Sequence, residues 1–393
     1  LFDILASTRK LFLAAVGAVA TAAPIPALAT AALPAVDPVA PRRRAINDAL
    51  VLSGGGARGA FQAGIICALA ERGGIADGEP LNPYGLVCGS SIGAINAWFV
   101  STGQYTALRR AWATLASANV FQLKRKYAAI MQPHAFAGDK LYEYMHFALA
   151  ASQHEQAMGQ SAPILKWMHE NMDPRIPVVT PMVWAVTNMT TQSGEYFYRL
   201  PETMTGRIPG GMAHALEVTV GATTVIRPAN DDILHRAILA SASIPVIFDP
   251  VVLPMIDGTH GKYVDGSIAS NAAVSIARTV ASNVDVILVD AKSGRTEYPD
   301  AIAIAFGAYG TMQREVLETA MRNIYFETLE EHSHAPAYGD IPAGRIRYVR
   351  PEVALAADIH AFSEQNVLNA MFALGEQAAK TGFSPYVWQT FHL

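Results

Sequence analysis

Apolar residues fall into two kinds of run along the chain: short unbroken runs that stop at glycine, and longer stretches with helical spacing. Ala49-Leu50-Val51-Leu52 stops at a glycine cluster and predicts a buried strand. A helix is predicted over Ala60 to Arg72, closed by Gly73-Gly74. Leu86-Val87-Cys88 predicts a second buried strand, with a helix over Ile92 to Val100 behind it. Val178 to Val186 and Asp285 to Asp290 predict further strands, and Glu195 to Arg199 reads as a hairpin or sheet neighbour of the former. Helices are also predicted over Thr311 to Glu331 and Asn366 to Lys380, and a mobile loop over Met204 to Met212. Between Ala107 and Asn171 the pattern is mainly helical, and a cap over a site and an ordinary packed insertion fit it equally well. Strands alternating with helices predict an α/β layered sheet.

The N-terminal region does not fit this alternation. Arg9 and Lys10 precede an apolar run from Leu11 to Ala23, and Ala27-Leu28-Ala29 supplies an A-x-A site. Together these predict a secretory signal peptide over residues 1–30, hence a periplasmic or secreted protein. An Ala/Pro-rich flexible leader is the alternative, with a cytoplasmic or membrane-peripheral protein. Residues 31–46, rich in Ala and Pro up to Arg42-Arg43-Arg44, read as a linker. The folded domain is expected over 47–393, with a helical insertion around 107–171.

Composition narrows the function classes. Of 393 residues, 51% are hydrophobic and 16% charged, with a formal net charge of -4. That excludes a disordered chain and argues against a nucleic-acid partner, which calls for a basic surplus. Cys67 and Cys88 show neither CxxC nor zinc spacing and read as small buried hydrophobes.

Three motifs carry candidate chemistry. Gly54-Gly55-Gly56-Ala57-Arg58-Gly59 lies between a predicted strand and a predicted helix. Such a loop presents bare N–H groups beside a positive helix end and suits negative charge. It also satisfies G-x-G-x-x-G, the dinucleotide fingerprint, which wants an acidic residue about 20 positions on at the end of the next strand. Asp77 and Glu79 fall near that distance but precede the next strand. Gly89-Ser90-Ser91-Ile92-Gly93 fits the G-x-S-x-G nucleophile elbow at a strand–helix junction, with Ser91 at its centre. A helix cap alone would not need the flanking glycines. Tyr263-Val264-Asp265-Gly266-Ser267 is an apolar strand end that can hold a carboxylate at the sheet edge; Asp257-Gly258 reads as a simple turn.

With these motifs in this order, the sequence resembles the patatin-like phospholipase family. Members have a G-G-G-x-R/K-G loop, a G-x-S-x-G elbow and a late D-G-G or D-G-A motif, here Gly54 to Gly59, Gly89 to Gly93 and Asp265 to Ser267. Ala240 to Pro245 with Phe248, and Trp184 to Gly194, are similar as well. The likeness covers residues 48 to 292 well and the C-terminal helices loosely. Ser267 departs from the family's Gly or Ala; Asn271 keeps its place, without the proline that often follows. The resemblance implies a three-layer α/β/α sandwich with a mostly parallel central sheet. It also implies a lipid acyl hydrolase, a phospholipase A or carboxylesterase, in which Asp265 accepts the Ser91 proton and loop N–H groups hold the oxyanion. Arg58 would order the loop or balance charge. No cofactor or metal is implied. The expected partners are a phospholipid or other acyl ester and a peripheral membrane contact, with no nucleic acid. Other readings stay open. One is a Ser–His–Asp triad drawing on His332, His334 or His360, since His260 precedes Asp265 in the chain. Others are a nucleotide-binding module using the glycine loop alone, and an inactive lipid-binding scaffold.

Overall fold

The apolar half of β1 (Ile46–Leu52) is buried on both faces, as a central parallel strand requires. Leu50 and Leu52 enter one hydrophobic cluster, Ala49 and Val51 the other. The computed structural model describes residues 45–122, 159–206, 211–245, 247–270, 272–290, 310–327, 345–355 and 359–386. All belong to one compact unit, Arg43–Leu393. The signal-peptide reading, all but the end of the linker reading, and residues 123–158 of the predicted insertion lie outside the described residues.

β1 pairs in parallel with β2 (Leu86–Gly89) on one side and β8 (Ala281–Ile287) on the other. Beyond them, β3 (Met182–Asn188) is parallel to β2, and β9 (Ile346–Val349) to β8. Antiparallel pairs form the flanks: β4 (Ser193–Arg199) folds back on β3, and β10 (Ser384–Pro385) on β9. β5 (Val225–Pro228) adds in parallel to β4.

Helices cover both faces. On one lie α1 (Gly59–Gly73), α2 (Ile92–Ser101), α3 (Tyr105–Thr114), α4 (Ala162–Asn171), α5 (Leu234–Ser241) and α8 (Gln365–Thr381). On the other lie α6 (Val274–Val280), the helical turns of residues 212–220, and α7 (residues 310–327). The arrangement is the expected α/β/α sandwich on a mixed, mostly parallel sheet.

One pairing decides where the chemistry sits. β2 occupies the edge of β3 only as far as Trp184, opposite Gly89. Above it, β7 (His260–Asp265) runs the opposite way along β3 and ends with Asp265 opposite Val186. A strand end rising and a strand end descending therefore meet beside β3. β6 (Val251–Pro254) forms a hairpin with β7.

Some boundaries move from the sequence reading. β1 starts at Ile46, inside the segment read as linker. β3 starts at Met182 rather than Val178, because Pro181 has no N–H and the N–H groups of Val179 and Thr180 donate to Ser101. β8 spans Ala281–Ile287 rather than Asp285 to Asp290, and its polar start, Ser282-Asn283, pairs with the start of β1 and broke the apolar run. In the predicted loop, Glu202–Met204 and Met212–His214 are helical turns; residues 207–210 lie outside the described set. So do residues 328–331 at the end of the predicted Thr311 to Glu331 helix.

Candidate active site

Ser91 sits where β2 gives way to α2, with φ 55° and ψ -130°. A non-glycine residue rarely adopts a positive φ, and here the turn is closed tightly enough to hold it. A Cβ on Gly89 would lie 2.4 Å from Gly93 O, and one on Gly93 would lie 2.3 Å from Leu52 O. Only bare backbone lets β2, the turn and β1 approach this closely. The neighbouring hydroxyl is spent on structure, since Ser90 Oγ donates to Ser270 O at 2.5 Å. The Ser91 N–H donates to Ser241 Oγ at 2.9 Å, fixing the elbow from α5.

Asp265 arrives from the opposite direction. Its Oδ2 accepts the Ser91 Oγ hydroxyl at 2.6 Å, and its Oδ1 accepts the Ser267 N–H at 2.8 Å. The backbone is pinned too: the Asp265 N–H donates to Ser243 O, and Thr187 Oγ1 donates to Asp265 O, each at 2.9 Å. Gly266 lies against Ala185, where a Cβ would come within 2.1 Å of the carbonyl oxygen. Ser91 is 3% exposed and Asp265 0%, so their hydrogen bond competes with little water. The Ser267 hydroxyl does not bond the carboxylate; it is buried with no partner among the described residues, while the N–H of the same residue does the work.

The glycine loop leads from β1 into α1, with Gly55 at φ 155° and Gly56 at φ 59°. Among the described residues no acceptor takes the N–H of Gly55 or Gly56. Gly56 borders the same pocket as Ser91. Arg58 holds the loop: its N–H and Nε donate to Gly55 O at 3.3 and 3.2 Å, and Nη1 pairs with Asp290 at 2.7 Å. Gly59, at the start of α1, allows α2 to pack close, since a Cβ there would lie 2.4 Å from the Ile92 side chain. Gly54 lies at the head of the loop, between Ser53 and Gly55.

Sequence reasoning missed the network under the loop. Gln62 Nε2 donates to Ser53 O at 2.7 Å, Asn96 Nδ2 to Gln62 Oε1 at 3.1 Å, and Trp112 Nε1 to Asn96 Oδ1 at 2.9 Å. Polar residues on helix faces that are otherwise apolar were the available signal. The described parts of the predicted helical segment line an apolar pocket beside Ser91. Trp112, Leu115, Phe121, Ile164, Trp167, Phe248 and Phe362 line it together with Ser91, which is itself buried. The lining suits an apolar chain.

The other readings meet the structure unequally. Asp77 and Glu79 lie before β2, at the opposite end of the sheet from the glycine loop, and accept from the local N–H groups of Thr106 and Ala76. A dinucleotide ribose at the loop would find neither. Cys88 is fully buried within β2, and burial pushes its thiol well above the ordinary range. His260 is exposed at the far end of β7. His332, His334 and Asn271 lie outside the described residues, as does the side chain of His360.

Comparison with known proteins gives a family and a loose structural likeness. The sequence model of the family described as patatin-like phospholipase matches residues 50–278, more than half of the chain. No curated protein matches the chain. Among solved structures, VipD from Legionella pneumophila is similar over 87% of this chain and 68% of that one, with 13% identity and a TM-score of 0.33. Family membership rests on the sequence match and not on that likeness.

Proposed function

The chain belongs to the patatin-like phospholipase family, which supports lipid acyl hydrolysis, and we propose that it cleaves lipid acyl esters through a Ser91–Asp265 dyad and an acyl-enzyme. The observation that carries this reading is the 2.6 Å bond between the two side chains at the head-on meeting of β2 and β7.

Ser91 Oγ attacks the ester carbonyl carbon while Asp265 Oδ2 takes the hydroxyl proton. The carbonyl electron pair moves to oxygen, and the Gly55 and Gly56 N–H groups receive that oxyanion. Loss of one such donor typically costs ~10²–10³ in rate. The tetrahedral intermediate collapses, Asp265 returns the proton to the departing alcohol, and the acyl group stays on Ser91. Water then attacks with Asp265 again as base, the acyl–Oγ bond breaks as Asp265 returns the proton to Ser91 Oγ, and the carboxylic acid leaves. The apolar pocket beside Ser91 takes the acyl chain. Arg58 acts on the loop through Gly55 O and does not touch substrate.

The test is labelling and turnover in parallel. A fluorophosphonate is expected to modify wild type at Ser91 and to leave Ser91→Ala unlabelled. On a panel of phospholipids and short p-nitrophenyl esters, Asp265→Asn is expected to lose roughly 10²–10⁴-fold in kcat, the range of a lost general base. A histidine-to-alanine variant matching the Ser91→Ala loss would replace the dyad with a triad. Labelling at another residue would remove Ser91 from the role altogether.

A further inference from the structure

The β6–β7 hairpin overshoots the sheet on the side where Ser91 lies. β3 ends at Asn188, opposite Tyr263, whereas β7 continues back to His260. At ~3.3 Å per residue, His260 stands roughly 17 Å along the strand from Asp265. β6 starts three residues after Phe248, a pocket residue, so the hairpin rises from the pocket wall. The β3–β4 turn is stitched to it: the Met189 N–H donates to Lys262 O at 2.8 Å, and the Lys262 N–H to Thr190 Oγ1 at 3.0 Å.

The tip is apolar where nothing in the fold requires it. Ile256 is 73% exposed, Met189 51% and Val252 41%. The turn itself is closed by other groups. Asp257 Oδ1 accepts the Thr259 N–H and hydroxyl, and Gly258 takes φ 82°. Ile256 therefore serves neither the turn nor the core. Cations stand along the stem of the hairpin: Lys262 is exposed opposite Val252, and exposed Arg236 donates to Val252 O. His260 is exposed opposite Pro254. Asp257 is the carboxylate of the turn itself.

We propose that this tip and the adjoining turn seat the protein on an anionic phospholipid surface. Ile256 and Met189 enter the acyl boundary, with Lys262 and Arg236 at the headgroups. An apolar tip on a stem that carries cations matches such a surface in both polarity and charge. The choice of a lipid surface as occupant rests on the acyl-hydrolase reading above, because a lipid substrate resides in an aggregate. Docked in this way, the chain holds the elbow end of its sheet toward the bilayer.

The test separates docking from chemistry. The full chain carrying Ser91→Ala is sedimented with phosphatidylcholine vesicles, with and without phosphatidylserine. Stronger binding to the anionic vesicles is expected. Adding Ile256→Asp should weaken that binding roughly 10-fold or more, from the lost burial of one large aliphatic side chain. Lys262→Gln should weaken it about fivefold, on anionic vesicles only. With Ser91 intact, both variants should slow hydrolysis of anionic-vesicle phospholipid in proportion to their weaker binding while retaining turnover of monomeric p-nitrophenyl butyrate, which also certifies their fold. Equal binding by wild type and Ile256→Asp, or no preference for anionic vesicles, overturns the proposal. Docking with no turnover of either substrate leaves the docking surface standing and sinks the acyl-hydrolase reading instead.

Discussion

The Ser267 hydroxyl is a buried polar group with no partner among the described residues, one bond-length of side chain away from the N–H that holds Asp265 Oδ1. Taking a hydroxyl out of water without replacing its hydrogen bond costs about 1–3 kcal/mol. The backbone contact does not need it, because the N–H belongs to any residue at that position except proline. Ser267→Ala is therefore expected to stabilise the protein by about 1 kcal/mol and to leave the Ser91–Asp265 geometry intact. Urea midpoints measured beside ester turnover check both halves. A loss of turnover with unchanged stability would mean that the hydroxyl serves the reaction. The departure from the family pattern at this position then has a physical reading: it buries an unpaired hydroxyl while the backbone N–H goes on holding the carboxylate.

At the scale of elements, α8 reaches α1 by a crossing that only glycine permits. A Cβ on Gly375 would lie 2.0 Å from Phe61 O, and one on Gly64 2.0 Å from Phe372 O. In an exposed helix a Gly to Ala change gains about 1 kcal/mol of helix propensity. Here the new methyl meets a backbone carbonyl, and overpacking of that kind costs about 1–3 kcal/mol. Gly375→Ala should thus lower stability despite the better helix former, and Gly64→Ala should do the same. The double variant should cost less than the sum, because one shift of α8 relieves both clashes; a chemical-denaturation cycle reads this directly. Which elements were legible in the sequence follows from how each is stabilised. β1 and β2 are buried on both faces and show as unbroken apolar runs, and the glycines that close the elbow show as a motif. β5 and β6 mix buried and exposed positions, β9 brackets two half-buried residues with two buried ones, and at four residues each all three are too short for a period to emerge. Glycines at the Gly64–Gly375 crossing sit inside helices, where the sequence offers no sign of what they approach. The meeting of Ser91 with Asp265 was legible only as two motifs; the shared edge of β3 that joins them is a matter of register, which depends on long-range pairing.

For the molecule as a whole, one contribution to acid sensitivity lies where α4 meets α5. His235 of α5 is buried, and its Nε2 bonds the Met172 carbonyl just past α4. His169 of α4 stacks edge-on at 4.4 Å between ring centroids. Burial is the main influence holding the His235 pKa below its ordinary value, opposed by the Met172 bond; His169 pushes it down further and Asp173 pushes it up. In the unfolded chain the same imidazole has an ordinary value near ~6.5 and takes a proton first as pH falls. The unfolded state then binds more protons than the folded one, so stability rises with pH through this window. It should be level above about pH 6.5 and decline below it, until the folded imidazole also protonates. The consequence reaches the site from two sides. α5 ends at Ser241, which fixes the Ser91 N–H, and α4 supplies Ile164 and Trp167 to the pocket. Protonating an imidazole between these helices loosens the elbow support and the pocket wall together. His235→Gln keeps an N–H donor for Met172 O and removes the titration. Urea midpoints at pH 5, 6 and 7 should show a smaller decline toward acid for this variant than for wild type; parallel slopes would assign the acid sensitivity to other groups.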